Sequence, residues 1–64
     1  MTKEITLNLD EMMLECLVGT VSTLRRIYLD IAKDRREIGF TKTAAEYQEK
    51  ADACKRILEA CGAE

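Results

Sequence analysis

The side chains able to do chemistry in this sequence are few, and most of them are charged. Among 64 residues there are 10 Lys and Arg, 12 Asp and Glu, three cysteines and no histidine. Without histidine the chain lacks the commonest general base and the commonest metal ligand. Cys16, Cys54 and Cys61 form no CxxC pair from which a zinc site could start. There is no glycine-rich phosphate loop, and the neighbouring carboxylates Asp10 and Glu11 stand at a helix start, where negative charge is favourable anyway. The expectation is a non-enzymatic protein with no catalytic residue, no metal and no cofactor. Binding chemistry remains.

The densest binding chemistry lies in "KDRREIGFTKTAAEY", residues 33–47. Lys33, Arg35, Arg36 and Lys42 surround a short connection, with Phe40 in it and Tyr47 soon after. Free N–H groups at the start of a following helix, with the Thr41 and Thr43 hydroxyls, suit an anion. An aromatic beside basic residues suits a nucleotide base or the acidic surface of a protein. Basic residues in a last helical turn and threonine at an N-cap are also ordinary helix-end chemistry. Arg25 and Arg26 lie further back and extend a basic stripe with Lys33 and Arg36, or pair with Glu49 or Glu59.

The elements that must position these residues follow from periodicity. Met13, Leu17, Thr20, Leu24, Ile27 and Ile31 are spaced 4, 3, 4, 3, 4. That rhythm passes without a slip through "LVGTVSTL", a stretch of poor helix formers, so one continuous helix is expected over 9–38. Asn8 with Glu11 reads as a capping box, with Leu7 and Met12 as its hydrophobic staple. Gly39 suits the left-handed position after the helix. Ala44, Tyr47, Ala51, Cys54, Leu58 and Cys61 repeat the rhythm, predicting a second helix over 43–61. Thr43 with Glu46 is its capping box and Gly62 its end. With a turn at 39–42 and an extended segment at 1–8, whose alternation of Ile5, Leu7 and Leu9 also allows a short strand paired across a dimer axis, the fold class is all-α: a helical hairpin, one domain over 1–64.

The arms are unequal, roughly 42 Å and 28 Å at 1.5 Å per residue. Folding them at the turn places Ala51 near Ile31, Cys54 near Ile27, Leu58 near Leu24 and Cys61 near Thr20. An overhang from Leu9 to Val18 is left with nothing in its own chain to cover it. Met12, Met13, Leu14, Leu17 and Val18 therefore form an expected oligomer interface. Gly19, Thr20 and Thr23 extend it as a patch of small residues where two long helices cross. The simplest closure is a homodimeric four-helix bundle. A chain this short has a marginal core and usually needs such a staple.

An odd number of cysteines, with neither a signal peptide nor framework spacing, predicts reduced thiols in a cytoplasm. Cys54 and Cys61, seven residues apart, are roughly 10 Å distant along one helix and too far to bridge. No apolar run approaches bilayer length, so no membrane partner is expected. The net charge of −2 argues against a general nucleic-acid binder. Its distribution is uneven, however, with six basic and three acidic residues from Arg25 to Lys42.

The opening "KEITLNLDEMMLECL" resembles the start of a ribbon-helix-helix repressor over about 15 residues. The resemblance implies a strand paired across a dimer, with Glu4, Thr6 and Asn8 facing DNA bases and Gly19 as the turn between two helices. Such ribbons usually present Arg, Lys or Gln, and the net acidic flank here opposes phosphate approach. In economy the chain resembles the accessory proteins of phages and other mobile elements, which bind or inhibit a larger host protein. The first expectation is accordingly a self-associating inhibitor or binder of a protein partner. The alternatives are an oligomeric binder of a nucleotide or other small anion, and the DNA-binding regulator.

Overall fold

The computed structural model describes residues 3–63, which hold two antiparallel α-helices, α1 (Glu11–Glu37) and α2 (Thr41–Ala60). Residues 3–9 run exposed without regular structure, and no strand is present among the described residues. The extended segment expected at 1–8 is thus described only from residue 3; residues 1 and 2 lie outside the described residues.

α1 starts two residues later than the spacing suggests because Asp10, not Asn8, takes the N-cap. Its carboxylate accepts the Met13 N–H at 2.8 Å, satisfying one of the free donors of the first turn. With Met13 at that third position, no reciprocal capping box forms, and the Leu7–Met12 staple loses its frame. The helix then runs unbroken through Gly19, as the continuous rhythm requires. Inside the helix, the Thr23 hydroxyl donates to the Gly19 carbonyl at 3.0 Å.

Gly39 and Gly62 both take positive φ, +89° and +71°, and both close a helix in the same manner. The Phe40 N–H reaches the Arg35 carbonyl at 2.8 Å and the Gly39 N–H reaches that of Arg36 at 3.3 Å. Ala63 to Leu58 and Gly62 to Glu59 repeat the arrangement at 2.9 and 3.0 Å, giving two Schellman motifs. The first of them corrects the expected start of α2. It turns the chain so tightly that the helix resumes at Thr41. The N-cap then falls on Phe40, with no side-chain cap, and Thr43 lies inside the first turn. The connection is Ile38–Phe40 instead of 39–42.

On α2 the expected face is the observed one: Ala44, Ala51, Cys54 and Leu58 are buried, Tyr47 and Cys61 half-buried. On α1 the seam lies one residue further along. Val21 and Ala32 are buried and Leu14, Val18, Arg25, Tyr28 and Arg35 half-buried, a stripe with the same alternating rhythm. Cys54 and Leu58 cluster with Val21, flanked by Leu17, Val18 and Tyr28, rather than with Ile27 and Leu24. The physical reason is size. Two of the four buried residues of α2 are alanines, Ala44 and Ala51, and such a flat partner face accommodates Tyr28 and the aliphatic stems of Arg25 and Arg35. The overhang is shorter than expected for the same reason. Leu17 and Val18 pack against the Val21–Cys54–Leu58 cluster, so Leu9, Met12, Met13 and Cys16 are the apolar and thiol residues of the overhang that stay exposed.

Candidate functional site

The one-residue shift leaves the most apolar stripe of α1 open. Met13, Leu24 and Ile27 are 48, 37 and 45% exposed, and Leu17 and Ile31 are half-buried at its margins. At 100° per residue this stripe lies about 90° around α1 from the stripe that meets α2. Ile57 is also exposed and sits about 90° from the buried face of α2 in the same sense. In an antiparallel pair, that points it to the same side of the hairpin. Each hairpin thus has one broad apolar side, formed mainly by α1.

An open groove of about 500 Å³ borders this seam, lined by Glu15, Cys16, Gly19, Thr20, Thr23 and Leu24. The small side chains of Cys16, Thr20 and Thr23, and none at Gly19, make the hollow. A Cβ built at Gly19 meets nothing within 4 Å. Of the three thiols, Cys54 is buried as a small core residue, Cys61 is half-buried and Cys16 is exposed at this groove.

The turn end carries the other set of expected residues. Phe40 is 57% and Ile38 53% exposed, beside Arg36, Lys42 and Thr41, all exposed, and Arg35 and Thr43, half-buried. The Arg35 guanidinium lies 3.8 Å from the Asp34 carboxylate. Arg25 is half-buried on the α2-facing stripe, whereas Arg26 and Lys33 are exposed elsewhere on α1. Of the expected basic residues, Arg25 and Arg35 thus lie toward α2, and Arg26, Lys33, Arg36 and Lys42 lie on the open surface. Tyr47 is drawn away from the turn into an interhelical cluster. Its ring centroid lies 6.0 Å from that of Tyr28, tilted by 37°. Lys50 Nζ stands 5.0 Å over Tyr47 and 5.9 Å over Tyr28. A cation held on two rings in this way contributes about 0.5–1 kcal/mol at an exposed site. Periodicity on α2 carries no sign of it, because Tyr28 lies off the more apolar stripe of α1.

No group of three metal-ligating side chains occurs among the described residues, and no helix there is long and apolar enough to cross a membrane. The unbroken α1 provides no turn at Gly19, which the ribbon-helix-helix arrangement would need. Compared with protein families, curated proteins and solved structures, the chain matches none.

Proposed function

We propose that this is a small non-enzymatic interaction protein that works as an oligomer and presents its turn end to a larger protein. The observation that carries the reading is surface. The hairpin exposes 5340 Å², whereas a compact monomer of 7.3 kDa exposes about 4,200 Å². The excess, about 1,100 Å² per chain, includes the unpaired N-terminal residues. It is of the size that stable subunit interfaces bury from each partner. Eleven large apolar side chains contribute to it, far more than scattered surface residues require.

The exposed Phe40 and Ile38 beside Arg36 and Lys42 support the second half of the reading. An aromatic and a branched aliphatic ringed by cations form the kind of anchor that acidic protein surfaces accept. Binding or inhibiting a partner there is compatible with the economy of a mobile-element accessory protein in a reducing cytoplasm.

Native mass spectrometry over a concentration series tests self-association. The expected result is a whole multiple of the 7.3 kDa chain; a monomer at every concentration would overturn the reading. The double variant Phe40→Ala/Arg36→Glu should keep that oligomeric mass and lose the protein partner that wild type retains. Retention of the same partner would remove the turn end from the proposal.

A further inference from the structure

We infer that the occupant of the open α1 seam is the same seam of a second copy, running antiparallel about a two-fold axis level with Ser22. This rests on the self-association proposed above and specifies its geometry. Three features lead to it.

The first is the angle. A helix at the corner of a square four-helix bundle touches two neighbours about 90° apart around its axis. α1 carries two apolar stripes at that separation, and α2 occupies only one of them.

The second is side-chain complementarity within the seam. Centred on Ser22, an antiparallel pairing sets Met13 against Ile31 of the second copy, Leu17 against its Ile27, and Thr20 against its Leu24. The small residue of the stripe meets a large one, and every layer holds a similar volume. Parallel pairing would instead stack threonine on threonine and leucine on leucine. Ile27 of the second copy falls over Met13, Cys16, Leu17 and Thr20, the four-residue hole into which a coiled-coil knob fits. Cys16 and Thr20 make that hole deep, and both also line the groove.

The third is the helix dipole. Antiparallel pairing opposes the dipoles of the two long helices favourably, whereas parallel pairing aligns them. The area is sufficient as well: twice the surface excess, N-terminal residues included, is about 2,200 Å², at the lower end of the range of permanent homodimers.

Engineered cysteine pairs test the geometry in the full chain, in a Cys16→Ala background that removes the exposed native thiol. Thr20→Cys/Leu24→Cys and, independently, Met13→Cys/Ile31→Cys should each give a covalent dimer on mild oxidation, seen as a doubled mass on denaturing gels. Each single variant should cross-link at least tenfold less, because its thiol faces no second thiol across the seam. Native mass spectrometry of the unoxidised proteins separates the two possible failures. A dimer in which neither pair cross-links overturns the antiparallel seam while leaving self-association standing. This would be the result if α1 packed on α2 of the second copy. Strong cross-linking by single Thr20→Cys would overturn it in favour of a parallel seam. A monomer throughout would overturn both.

Discussion

Replacing Ile27 by alanine separates what holds the hairpin from what holds the assembly. In the single hairpin, Ile27 is 45% exposed and outside the buried cluster. Truncation removes about three methyl or methylene groups, worth roughly 0.8 kcal/mol each when fully buried. If a second copy covers the exposed half, each chain loses about 1 kcal/mol of subunit contact. Two copies lose about 2 kcal/mol, a roughly 30-fold weaker dimer at 1.4 kcal/mol per tenfold. Sedimentation equilibrium across a dilution series reads this directly, with circular dichroism following helix content. Leu58→Ala is the contrast, since Leu58 is 4% exposed and packs on Val21 and Cys54. It should cost about 2–5 kcal/mol of the hairpin itself, with loss of helix at every concentration. A dissociation constant unchanged within threefold for Ile27→Ala would refute the assignment of this stripe to subunit contact.

Three further substitutions have definite expectations. Gly19→Ala should stabilise by about 0.8–1 kcal/mol through helix propensity, read as a higher melting temperature, because nothing lies within 4 Å of the new Cβ and Gly19 sits beside the seam rather than in it; destabilisation would place a close helix crossing over Gly19. Asp10→Ala should cost about 1 kcal/mol as a lost N-cap while Asn8→Ala leaves thermal stability unchanged, and the reverse order would return the cap to Asn8. Gly39→Ala forces a side chain into the left-handed region at φ +89° and should cost about 1–2 kcal/mol in a urea melt; a neutral result would mean that the turn relaxes.

The sequence was legible where one residue type decided the outcome. The glycines after each helix, the unbroken helix through "LVGTVSTL" and the buried stripe of α2 all follow from local chemistry. The α1 seam is ambiguous in the sequence because two stripes share one rhythm. Periodicity selects the more apolar, Met13 to Ile31, but the alanine-rich face of α2 takes the stripe that includes Arg25, Tyr28 and Arg35. The caps were displaced for related reasons. Asp10 competes equally with Asn8 for the first, and the tight turn at Gly39 leaves no room for a threonine cap on the second. The turn residues group together in the sequence, but Tyr47 belongs to the interhelical cluster, because its partner Tyr28 lies on the less apolar stripe of α1.

The three-residue turn has a kinetic consequence. A chain reversed once, with both helices joined directly through it, has a topology of mostly local contacts, and such helical folds form in microseconds to milliseconds. The sequence contains no proline, so no prolyl isomerisation slows its refolding. A phase slower than this, or one whose rate rises with protein concentration, would report the meeting of chains rather than the folding of one. Refolding at two concentrations therefore turns a simple hairpin into a clock for its own assembly.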